Sequence, residues 1–126
     1  MKFNKKVLVA IDFDGTLTES ERNLYDYTID KKAIKYVKAM QRHGAKIILW
    51  TCREDKLLVN AISSLYKNGL ICDYINEGNG KRPDSRKVNA DIYIDDKACL
   101  TKINWKKYYK AVKQLIKTRK HNVYNN

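Results

Sequence analysis

The feature that most restricts the fold is an alternation of short apolar runs with helical patterns. Residues 7–13 are rich in β-branched side chains and end at the turn pair Asp14-Gly15, the signature of a buried strand. Across residues 30–42, apolar side chains recur at Ala33, Ile34, Val37 and Met40, the spacing of one helix face. Asp30 or Thr28 suits the cap of that helix, and Gly44 its stop. Residues 46–51 repeat the strand pattern, and residues 54–68 the helical one, with Leu57, Leu58, Ala61, Ile62 and Leu65 turned inward. Residues 74–76 form a weak third strand, residues 77–87 a polar loop, and residues 90–95 a fourth strand. A basic amphipathic helix over about 103–120 closes the chain, and the last six residues read as frayed.

Continuous apolar strands joined by helices imply βαβ units and right-handed crossovers. The expected fold is therefore α/β: a three-layer, Rossmann-like parallel sheet in the order 4-1-2-3, with helices on both faces. The 126 residues suit one domain with its own core. The longest apolar run, residues 7–11, is far shorter than the ~20 residues of a membrane span. No cleavage site follows it, so a leader is not expected. Three cysteines without metal-type spacing point to a reduced cytoplasmic setting rather than a disulfide framework.

In sheets of this kind, ligands bind beyond the carboxyl ends of the strands. Polar side chains cluster at those ends. Asp12 and Asp14 follow the first strand, Thr51 and Arg53 the second, and Asp95 and Asp96 the fourth. If the first and fourth strands are neighbours, four carboxylates converge. At an effective dielectric near 20, each close pair of like charges costs on the order of 3–4 kcal/mol. A cation relieves that repulsion, and hard oxygen donors in an open site suit Mg²⁺.

The segment Asp12-Phe13-Asp14-Gly15-Thr16-Leu17-Thr18 resembles motif one of the haloacid dehalogenase superfamily of phosphatases and phosphotransferases. Thr51 after an apolar strand is similar to motif two, and Asp95-Asp96 after Ile92-Tyr93-Ile94 to motif four. The resemblance covers about residues 7–100 and is nearest to a small capless subgroup of bacteria and phages. It implies a Mg²⁺-dependent phosphohydrolase with Asp12 as nucleophile and Asp14 as general acid and base. It also implies a metal held by Asp12, the Asp14 backbone carbonyl, Asp95 and Asp96. Thr51 would then hydrogen-bond one phosphoryl oxygen and a lysine neutralise another, with Gly15, Thr16, Cys52 and Arg53 beside the substrate. Lys87 is preferred as that lysine because it stands at the start of the fourth strand, with Lys81 as the alternative. Arg53 either clamps a substrate phosphate or pairs with the carboxylate cluster, Glu54 or Asp55. Cys52, set apart from cysteine-phosphatase spacing, reads as a small buried residue, and His43 as a helix-end contact.

Residues 17–29 and 77–86 are too short to hold a cap domain. An open site leaves its walls to the substrate or to a neighbouring subunit of a homo-oligomer. Phosphorylated small molecules, nucleotides and nucleic-acid ends all fit such a site.

Charge adds a second reading. Twenty-six Lys and Arg face fourteen Asp and Glu, a net +12, and residues 97–126 contain no acid. Either a compositional bias toward lysine fills tolerant surface positions, or the fold carries an anion-binding face. The alternative function is accordingly a non-catalytic nucleic-acid- or phosphate-binding module on the same fold.

Overall fold

The computed structural model describes residues 6–19, 24–77 and 88–125, with side chains to residue 120. Four parallel strands, β1 (Leu8–Ile11), β2 (Lys46–Leu49), β3 (Tyr74–Ile75) and β4 (Ile92–Ile94), form one sheet in the order β3-β2-β1-β4. Read from its other edge, this is the expected 4-1-2-3. Register pairs Ile11 with both Leu49 and Ile94, so three strands end side by side.

Three helices, α1 (Lys31–Arg42), α2 (Asp55–Lys67) and α3 (Trp105–Asn125), follow β1, β2 and β4. Asp30 caps α1, its Oδ1 accepting from the amides of Lys32 and Ala33 at 3.0 and 3.1 Å. Gly44 ends the helix at φ +109°, in the left-handed region where a side chain is disfavoured. Val9, Ile11, Ile47, Leu49 and Ile94 point to one face of the sheet. There they form one buried cluster with Ala33, Val37 and Met40 of α1, Ala61 and Leu65 of α2, and Trp105 and Val112 of α3.

This layering refines the expectation of helices on both faces. The steps from β1 to β2 and from β2 to β3 run in the same direction, so right-handed crossovers place α1 and α2 on one side. α3 joins them by packing on α1. The opposite face, with Ala10 and Ile48, is covered among the described residues by Val88 and by Ala90 and Tyr93 beside it. The connection expected there runs through residues 78–87, outside the described residues.

Two boundary expectations change. Residues 121–125 continue α3, because neither glycine nor proline interrupts the chain after Lys120. Ile62, expected to point inward, is more than a third exposed. β3 is only two residues long and forms the sheet edge, so the outer turn of α2 has little to pack on.

No described helix is long and apolar enough to cross a membrane.

Candidate active site

β1 does not release the chain at Ile11. The Asp12 amide donates to the Ile94 carbonyl at 2.9 Å, so the sheet still holds the backbone where the first carboxylate begins. Phe13 turns into the core, fully buried and edge-on to Tyr27. The Phe13 carbonyl then accepts from the amides of Thr16, Leu17 and Thr18, which closes a tight turn. Gly15 makes this turn at φ +80°, with its amide donating to Thr18 Oγ1 at 2.8 Å. A Cβ on Gly15 would lie 2.5 Å from Asp96 Oδ2. Glycine is required there both by conformation and by the closeness of the neighbouring acid.

The parallel pairing of β1 with β4 brings Asp12 beside Asp95 and Asp96. One carboxylate oxygen of each lies within 4.8 Å of the others, and all three residues are half-buried. Burial, then the charges of Asp95 and Asp96, push the Asp12 carboxyl up to about 7. Thr16 knits this group together. Its hydroxyl accepts from the Asp96 amide at 2.9 Å and lies within donating reach of Asp12 Oδ2 (3.3 Å) and Asp96 Oδ1 (3.2 Å). Thr16 is thus buried in the support of the acids, with its hydroxyl used inside the fold rather than offered to solvent. Asp95 caps a short 3-10 turn, Asp96–Ala98, through the Lys97 amide.

Asp14 takes a different partner, which corrects the expectation of four converging carboxylates. Three converge. The fourth is gripped by Arg53, whose Nη2 and Nε donate to Asp14 Oδ1 and Oδ2 at 2.7 and 2.9 Å. Arg53 Nη1 donates to the Leu57 carbonyl at 3.2 Å, and its guanidinium packs over the rings of Phe13 and Tyr27. The bond from Asp14 raises the Arg53 pKa further above its ordinary value. Of the two roles open to Arg53 in the sequence, pairing with an acid is the one seen here. Its side chain is only 2% exposed, which leaves little of it to meet a ligand.

Thr51 stands where β2 ends. Its amide donates to Asn76 Oδ1 at 2.9 Å, and its hydroxyl accepts from the Arg53 amide at 3.1 Å. The hydroxyl proton therefore remains available to a ligand. Asn76, at φ +55° after β3, was not singled out in the sequence. Its signal was an asparagine closing a weak strand, a residue type that tolerates the left-handed region. Cys52 is exposed, not buried as expected, because it lies past the strand end in the turn that leads to α2. His43 does end α1, where its ring nitrogen Nε2 lies 2.8 Å from the Tyr109 hydroxyl. Lys87 and Lys81 lie outside the described residues.

The donor set fits Mg²⁺. Three hard oxygens from separate side chains stand in a half-open site, where the Asp95 and Asp96 charges add to burial in raising the Asp12 carboxyl. A groove of about 620 Å³ adjoins them, lined in part by Gly15, Thr16, Asp96, Lys32 and Lys102.

Comparison with known proteins gives the same assignment. A family model described as haloacid dehalogenase-like hydrolase matches residues 9–126. A solved structure, that of a conserved protein from Bacteroides thetaiotaomicron, is 30% identical, with a TM-score of 0.74. The match covers 87% of this chain and 92% of that one. No curated protein matches the chain. The ordered acids, the threonine at the end of β2 and the family match over nearly the whole length lead to one conclusion: the chain belongs to the haloacid dehalogenase-like hydrolases.

Proposed function

We propose that this hydrolase is a phosphatase that cleaves phosphomonoesters through an aspartyl-phosphate on Asp12. The observation that supports this most is the contrast between two aspartates on one turn. Asp12 is fixed by the sheet among acids that need a cation, while Asp14 is turned aside onto Arg53. A nucleophile and a proton carrier require such a division of roles.

In the first half-reaction an Asp12 carboxylate oxygen attacks phosphorus in line, and the bond from phosphorus to the leaving oxygen breaks. Asp14 gives its proton to that leaving oxygen. In the second, water attacks phosphorus, Asp14 takes back a proton, and the bond to Asp12 breaks to release orthophosphate. Thr51 donates its free hydroxyl proton to a phosphoryl oxygen, and Lys87 neutralises another. Asp12, Asp95 and Asp96, with the Asp14 carbonyl, would hold Mg²⁺, which screens the negative charge shared by nucleophile and phosphoryl group. Arg53 holds Asp14 as the carboxylate, so both proton transfers require Asp14 to free an oxygen from that grip and turn it toward the leaving group.

The test is phosphate release from an aryl phosphate in the presence of Mg²⁺, lost on chelation and in Asp12→Asn. A folded, Mg²⁺-loaded protein inert on a panel of sugar, nucleotide and oligonucleotide phosphomonoesters would overturn the proposal. The panel also distinguishes the substrate classes that an uncapped groove admits.

A further inference from the structure

We propose that the paired helices α1 and α3 form a second, non-catalytic site, a face that binds the phosphate backbone of nucleic acid. α1 carries five Lys and Arg and no acid, and α3 carries seven and no acid. The two pack together, with the rings of Tyr36 and Tyr109 5.8 Å apart, so these charges share one side of the molecule. α2 lies in the same layer and differs: it has Asp55 alongside Lys56 and Lys67. A bias toward lysine spread over all tolerant positions would not separate the helices in this way.

Within this face, Lys110, Lys113, Lys117 and Lys120 recur at helical spacing and form a single stripe. At 1.5 Å of rise per residue the stripe is about 15 Å long. All four are exposed, and with His43 they line a groove of about 570 Å³ between α3 and the end of α1. Like charges at this spacing repel one another, and no acid in α3 relieves them. An external polyanion would.

The groove lies away from the candidate active site. Arg119, next to its far end, bonds the Lys6 carbonyl and the Asp91 carboxylate, at the amino ends of the neighbouring strands β1 and β4. The catalytic acids stand at the carboxyl ends.

Three observations favour nucleic acid over other polyanions. The cations are spread along a line rather than convergent, which suits a chain of phosphates and not a small anion. The apolar side of α3 packs on the core through Trp105, Val112, Leu115 and Ile116, and among the described side chains of α3 no large apolar one is exposed to enter a lipid surface. The groove lining includes no Phe, Trp or Tyr of the kind that anchors protein interfaces, and the adjoining Tyr109 is already engaged by Lys113 and His43.

The test is fluorescence anisotropy of a labelled single-stranded oligonucleotide titrated with the full chain at several salt concentrations. Binding should weaken steeply with salt. The triple variant Lys110→Gln, Lys113→Gln, Lys117→Gln should weaken low-salt binding at least tenfold. It should also flatten the slope of log K against log salt by about 2, at roughly 0.7 for each phosphate no longer neutralised. The charge-matched variant Lys46→Gln, Lys56→Gln, Lys67→Gln should change affinity less than threefold. Circular dichroism establishes that both are folded. Asp12→Asn should bind like the parent, which separates this face from the proposed phosphatase site, whatever the outcome there. Equal losses in the two triple variants would overturn the proposal. So would an oligonucleotide that fails to bind at low salt while phosphatidylserine vesicles do, or loss of binding in Asp12→Asn.

Discussion

Asp12 and Asp14 are two residues apart on the same turn, yet their surroundings are opposed. Asp12 is surrounded by its own kind, and burial with the Asp95 and Asp96 charges raises its carboxyl to about 7. Asp14 meets a guanidinium that holds both its oxygens at 2.7 and 2.9 Å. The difference arises from topology, not from local sequence. Strand β4 brings acids to one side of the turn, and the segment after β2 brings Arg53 to the other. Identical side chains thus acquire distinct chemistry from the strands that flank them.

The sharpest way to break this contrast is to neutralise its first member. Asp12→Asn should lower phosphate release at least about a thousandfold, since no neighbour can replace a covalent nucleophile. A residual rate within tenfold of the parent would remove Asp12 from the chemistry. The second member answers to a different measurement. Arg53→Met breaks a buried pair and strips a cation from two aromatic rings, so it should destabilise the fold by about 2–3 kcal/mol in urea unfolding. That lies below the usual cost because Asp14 is partly exposed and can be solvated. Thr16→Val keeps the shape but removes the hydroxyl between Asp12 and Asp96. It should weaken Mg²⁺ binding by roughly tenfold in calorimetry, in line with losses for groups that orient metal ligands.

The smallest effect is on pH dependence. A carboxyl raised from 3.8 to about 7 in the folded state contributes stability that is full below pH 4 and lost as pH rises through 7. The metal-free protein should melt a few degrees lower at pH 8 than at pH 5 from this group. Asp12→Asn, or added Mg²⁺, should flatten that trend.

Much of this arrangement was legible in the residues. Continuous apolar strands alternating with amphipathic helices gave the parallel sheet, and its strand ends marked where Asp12, Thr51 and Asp95 would lie. What could not be read was direction. The spacing Asp12-Phe13-Asp14 puts both acids on one side of an extended chain, but the turn at Gly15 begins before Asp14 and swings it toward Arg53. Asn76 was hidden for a related reason. Its partner, the Thr51 amide, is 25 positions away and is reached only because β2 and β3 pair. The placement of all three helices on one face likewise depended on the connection before β4, where sequence shows only polar loop character. Periodicity reports which side of an element is apolar, and says little about which distant side chain will meet it.

The bond from the Asp12 amide to the Ile94 carbonyl has one more consequence. It makes the Asp12 backbone part of the central ladder, so that backbone has surrendered its freedom by the time folding is complete. That amide should exchange with deuterium only as slowly as the whole domain opens. Heating should therefore abolish any turnover that depends on Asp12 and melt the sheet in a single event, with no temperature range in which an intact scaffold carries a disordered Asp12.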